Sequence, residues 1–198
     1  MKKIVLLFFV AITSVVSAQK MKVVSGNFDF LKGQKELNLV MDYSQMKFYK
    51  ENMTEEAYIK KRENDISADK GSAEAEKWKN DWKHSKNNTF VEKFLASMNK
   101  NTSIKTSENN SQAKYTLIVQ TVWIYPGWFG GVMKQPAKVN TVLKFVETTN
   151  PDVVLLEITS KNALGDNFIG VPNTNDRIAE GYAKTAKSLG KMLSKKVK

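Results

Sequence analysis

The stretch that begins at Lys114 constrains this chain more than any other. Tyr115, Leu117, Val119, Thr121 and Trp123 alternate with Thr116, Ile118, Gln120, Val122 and Ile124, so a strand here presents one set to each side of a sheet. Both sets are largely apolar, which predicts a central strand. Val139, Thr141, Leu143 and Phe145 predict a second strand, Asn150, Pro151 and Asp152 a turn, and residues 153–160 a third. Connections this short imply an antiparallel meander.

The flanks supply further elements. Between Val23 and Phe48, alternating apolar residues with punctuation at Lys32, Gly33 and Gln34 predict two or three strands. Thr54 can cap a helix over 54–66, with Glu55 and Glu56 suited to its positive end. A second helix is expected over 72–86, where Trp78 and Trp82 share a face as core residues. Thr89 and Glu92 have capping-box spacing ahead of Phe90, Phe94 and Met98, predicting a fresh helix to about Asn99. Residues 99–112, NKNTSIKTSENNSQ, are polar enough to form a loop. After a Gly- and Asn-rich loop over 162–175, Asp176 can cap a last helix in which Ile178, Tyr182, Leu189 and Leu193 recur at helical spacing. The expected fold is α+β: a single two-layer domain over 19–198, its mainly antiparallel sheet of four to six strands packed against helices.

Residues 1–18 have the pattern of an export signal: Lys2 and Lys3, an apolar run from Ile4 to Ile12, then Ser17 and Ala18. That run is about half of the ~20 residues a membrane-crossing helix needs. Cleavage after Ala18 is therefore expected, giving a periplasmic or extracellular protein that begins at Gln19. No later segment is apolar enough to span a membrane. The chain has no Cys, which excludes disulfides and a lipidated N-terminal Cys.

The formal charge is +11, and +9 without Lys2 and Lys3. A nucleic-acid partner is not expected for an exported chain, so another envelope protein or an anionic envelope polymer fits better. Only Arg62 and Arg177 among the 31 basic residues are arginine, the side chain best suited to specific anion recognition. Dispersed lysines that keep the protein soluble are the simpler reading.

With one His and no Cys, thiolate and paired-imidazole sites are excluded, and no metal or cofactor is expected. His84 lies in a charged stretch and fits a surface position. The nucleophile turn GxSxG, the phosphate loop GxxxxGK[ST] and the dinucleotide pattern GxGxxG are absent. No catalytic residue is assigned. Carboxylate-pair hydrolysis of an envelope polysaccharide needs neither His nor Cys; Glu147, Asp152, Glu157 and Asp166 are the acids available for it near the ends of the meander.

Binding has two candidate sites. Residues 125–131, YPGWFGG, set Tyr125, Trp128 and Phe129 beside three glycines between two apolar strands. Either the rings fold back over the core, or they form an aromatic contact for a partner. The second candidate is the stripe Lys184, Lys187, Lys191 and Lys195 on the last helix, which could meet an anionic surface or simply face solvent.

Three segments, KYTLIVQTVWIYPGWFGG, PAKVNTVLKFVE and DRIAEGYAKTAKSLGKML, carry a resemblance. Together they resemble a group of small exported α/β proteins of Bacteroidetes-type bacteria, and more loosely periplasmic accessory lipoproteins. The resemblance implies an exported, non-catalytic binding or accessory protein and supplies no catalytic residues. The missing lipid-acceptor Cys departs from the lipoproteins.

Overall fold

The computed structural model describes residues 19–130, 133–165 and 173–197. The expected export signal, Gly131 and Asp166 lie outside the described residues. Strand β1 (Lys20–Gly26) is followed by β2 (Glu36–Asp42) and the short β3 (Lys47–Phe48). Helices α1 (Glu55–Lys70), α2 (Ser72–His84) and α3 (Phe90–Asn101) follow, with a π turn (Ser85–Thr89) joining the last two. Then come β4 (Lys105–Glu108), β5 (Tyr115–Tyr125), β6 (Trp128–Gly130), β7 (Met133–Gln135), β8 (Ala137–Glu147), β9 (Asn150–Gly165) and α4 (Thr174–Lys196).

The main sheet has seven strands, in the order β1-β9-β8-β5-β2-β4, with β3 continuing the β2 side of β5. The expected meander is present, since β5, β8, β9 and β1 pair antiparallel in turn. The expectation of a mainly antiparallel sheet of four to six strands is overturned by the other half. There β2 runs parallel to both β4 and β5, and β3 runs parallel to β5. The physical reason is the connection. Between β2 and β5 the chain passes through three helices, a crossover long enough to bring it back in the same direction.

Strand β4 lies inside the stretch expected to be a loop. It has few apolar residues, but Ile104 and Thr106 are buried. The Asn99 side chain pins it, donating to the Thr106 carbonyl at 2.9 Å and accepting from the Thr106 amide at 2.8 Å. The capping box at Thr89 does not form. Thr89 has helical dihedrals and no side-chain cap, because the helix continues through the π turn instead of restarting. Thr54 does cap α1, accepting from the Ala57 amide, whereas α4 is capped by Asn173 rather than Asp176.

Helix α4 lies against β8 and β9 at Gly181, where a Cβ would stand 2.6 Å from Val139 Cγ2 and 3.2 Å from the Ala163 carbonyl oxygen. A side chain there would force the layers apart. At the next residue, the buried Tyr182 and Thr121 hydroxyls share a 2.8 Å hydrogen bond that ties α4 to β5. A run of rings then extends the core sideways. Phe90 stacks on Tyr182 at 5.0 Å, Trp82 meets Phe90 at 5.8 Å, Tyr58 meets Trp82 at 5.4 Å, and Phe48 stacks on Tyr58 at 4.0 Å. Trp82 is core, as its spacing suggested, with its indole N–H on Glu55. The sheet's other face is half-open along Ile118, Gln120, Val142, Lys144, Leu155 and Glu157.

Burial raises the pKa of the Tyr43, Tyr58 and Tyr182 phenols by penalising their charged forms. In the unfolded chain each ionises near its ordinary value of ~10. The stability they confer is therefore fully present below about pH 10 and lost as pH rises above it toward the folded values. Urea unfolding from pH 9 to 11 should show a falling midpoint, with a shallower fall in Tyr58→Phe. A midpoint flat across that range would contradict the burial of these phenols.

Candidate functional site

The alternation of β5 does not survive to its end. Its register against β8 shifts between Thr121 and Trp123, and this bulge exchanges the two faces. Thr121 and Ile124 are both fully buried on the helix side. Trp123, expected on that same face, turns to the other one together with Tyr125, and the two rings lie 6.4 Å apart and 15° from parallel. The Trp123 indole N–H donates to the Tyr49 carbonyl at 2.7 Å.

Tyr49 is held in the left-handed region, with φ of 57°, a conformation a bulky residue rarely adopts. Its amide donates to the Ile124 carbonyl at 3.1 Å. Backbone strain of this kind costs on the order of 1–3 kcal/mol and gathers at functional positions. Here it sets the Tyr49 ring 6.0 Å from Tyr125 and 5.9 Å from Tyr58.

The segment expected to be a loop over 125–131 is a turn followed by a small hairpin of β6 with β7, in which Trp128 faces Gln135 and Phe129 faces Lys134. Gly127 makes this possible. Its φ is +70°, and a Cβ there would stand 2.4 Å from the Gln135 carbonyl oxygen, so only glycine fits. Gln135 Oε1 accepts from the Tyr125 hydroxyl and, at 3.1 Å, from the Trp128 indole N–H. Of the two readings left open for these rings, folding back over the core fails. Trp128 is 44% exposed and Phe129 48% exposed, while Tyr125 is half-buried.

A cleft of about 390 Å³ opens beside the hairpin, lined by Tyr49, Arg62, Trp128, Phe129, Thr174 and Arg177 among others. A second, of about 530 Å³, shares Tyr49, Arg62, Gly127 and Trp128 with the first and reaches Lys61 and Tyr125. Both arginines of the chain thus border the aromatic hairpin. Arg177 is 4% exposed and donates to the Thr174 hydroxyl at 3.2 Å. The Arg62 guanidinium stands 5.7 Å from the centre of the Trp78 ring and 4.0 Å from Asp65.

Sequence reasoning found Tyr125, Trp128 and Phe129 but missed Tyr49, Arg62 and Arg177. The rarity of arginine is the signal the sequence holds for the last two, and the many dispersed lysines obscure it. Lys184, Lys187, Lys191 and Lys195 all lie exposed on α4. From Thr174 at the cleft, a rise of 1.5 Å per residue puts Lys184 about 15 Å along the helix and Lys195 about 32 Å, so the two candidate surfaces are separate. Lys191 and Lys195 instead border a cleft with Gln19 and Met21. His84 is exposed, with Asn88 at 3.2 Å from its ring nitrogen.

Of the acids considered, Asp152 lies exposed in β9 and Glu147 closes the β8–β9 turn opposite Asn150. Glu157 lies across from Lys144. No helix among the described residues is long and apolar enough to cross a membrane.

No protein-family model matches the chain, and no curated protein matches it. Among solved structures it is similar to the PelC dodecamer from Paraburkholderia phytofirmans, at 12% identity and a TM-score of 0.41, covering 86% of this chain and 96% of that one. A single-substitution variant of the same PelC dodecamer gives 12% identity and a TM-score of 0.42 over 89% of this chain and 98% of that one. Likeness at this level assigns neither an assembly nor an activity to this chain.

Gln135 is the clamp that orients the Trp128 ring. Gln135→Leu should shift and broaden the Trp128 indole N–H resonance and raise tryptophan quenching by acrylamide. Because both partners are partly exposed, the unfolding free energy should change by less than about 1 kcal/mol. An unmoved indole resonance would show that the clamp does not hold in solution.

Proposed function

We propose that this chain is an exported, non-catalytic binding or accessory protein of the cell envelope, and that it contacts its partner through the β6–β7 hairpin. The observation that carries this reading is the exposure of Trp128 and Phe129 on a hairpin that is itself firmly held. Gly127 fixes the turn, Pro126 is buried beneath it, and Gln135 fastens Trp128 and Tyr125. Exposed rings on a flexible tail would lose conformational entropy on binding, whereas rings held in place present their area ready for contact. Aromatic side chains of this kind dominate the energetics of binding surfaces. Export is supported by the charged, apolar and small-residue pattern of residues 1–18.

The test is co-sedimentation of the purified chain, residues 19–198, with isolated cell envelopes. Wild-type protein should pellet with them, and the double variant Trp128→Ala, Phe129→Ala should stay at least fivefold more in the supernatant. Because both rings are surface-exposed, the double variant should keep its thermal midpoint within a few degrees. Equal pelleting of the two proteins would remove the hairpin as the contact.

A further inference from the structure

Three observations outside the hairpin converge on the groove beside it. The first is the placement of charge. Of 31 basic residues only two are arginine, and both line the same cleft although they are far apart in sequence, Arg62 on α1 and Arg177 on α4. No Asp or Glu lines that cleft among the described residues. Among the described residues the carboxylate nearest Arg62 is that of Asp65, at the 4.0 Å limit of an ion pair, while Lys61 holds Asp65 at 2.7 Å. Glu51 stands at the far end, in the second cleft.

The second observation is a group of buried polar atoms. Tyr58 Oη, Arg62 Nε and Trp78 Nε1 are buried with no hydrogen-bond partner among the described residues. They form one contact group, with Tyr58 5.9 Å from Trp78 and Arg62 over the Trp78 ring. Unsatisfied buried donors are costly and uncommon, and of these three side chains Arg62 is the one that lines both clefts.

The third is shape. The two clefts share Tyr49, Arg62, Gly127 and Trp128, so a single groove runs from Arg177 past Arg62 and Trp128 to Lys61. Arg62, Arg177 and Lys61 recur along it.

Resting on the reading of the hairpin as the contact, we infer that this groove binds an acidic polysaccharide, with Arg62 receiving anionic groups on the sugar rings and Tyr49 and Trp128 lying against the sugar faces. Arginine matches the planar, two-oxygen edge of a carboxylate or phosphate with two parallel donors. Ring faces carry partial negative charge and attract the C–H bonds of a pyranose face. A purely charged polymer would need no aromatic wall, and a neutral glycan would need no arginine.

Calorimetric titration of residues 19–198 with three probes tests this: a tetramer of galacturonic acid, glucose 6-phosphate and maltotetraose. Binding of the tetramer or of the sugar phosphate, with no binding of maltotetraose, supports the inference and tells carboxylate from phosphate as the recognised group. Arg62→Gln should weaken that binding at least tenfold, about 1.4 kcal/mol. Trp128→Ala, at an exposed position, should weaken it comparably, which keeps the test valid if Arg62→Gln compromises folding. Lys187→Gln on α4 should leave affinity within about twofold, since a charge-only association would respond to any lysine. Binding of maltotetraose as tight as that of the acidic probes, no binding of either acidic probe, or full affinity in Arg62→Gln would overturn the inference. Envelope binding that still depends on Trp128 and Phe129 in those cases would leave the proposed function standing without it.

Discussion

The bulge in β5 between Thr121 and Trp123 is the feature on which the rest of the structure turns. On one side of it, Tyr115, Leu117, Val119 and Thr121 face the helices, and the Thr121–Tyr182 hydrogen bond fastens α4 to the sheet. On the other side, Ile124 takes over the inward position, so Trp123 and Tyr125 are delivered to the opposite face. Without that slip Trp123 would be driven into the core and Ile124 out of it. The bulge also explains Tyr49, whose carbonyl accepts the turned-out Trp123 indole and whose amide bonds Ile124. A local irregularity in one strand thus orients the aromatic wall of the groove, as bulges near functional surfaces commonly do.

Much of the fold was legible in the sequence. The antiparallel meander, the core position of Trp82 and the existence of the terminal helix follow from period, as do the helices expected over 54–66 and 72–86, which run over Glu55–Lys70 and Ser72–His84; capping chemistry placed the start of the first of these but not that of the terminal helix, which Asn173 caps. The parallel half was not legible, because β2 finds β5 only across three intervening helices, and periodicity describes a strand without naming its neighbour. Strand β4 was hidden for a different reason. It is short and polar, and its place is fixed by the Asn99 side chain rather than by an apolar pattern.

The site was half legible for related reasons. Aromatics set among glycines announced Tyr125, Trp128 and Phe129, because a hairpin is local in sequence. Arg62 and Arg177 reach the same cleft from two different helices, a convergence that only tertiary structure creates. The abundant lysines set the net charge while lying dispersed on outer faces such as that of α4. Net charge bears on solubility and steering, whereas the two scarce arginines, one of them almost fully buried, line one cleft.

Backbone amide shift mapping of ¹⁵N-labelled protein during titration with a galacturonic acid tetramer addresses the assignment of the groove most directly. The largest perturbations are expected at Tyr49, Arg62, Trp128 and Arg177, with the last three turns of α4 unmoved. Perturbations centred on Lys184, Lys187, Lys191 and Lys195 would contradict that assignment and make the basic helix the binding surface.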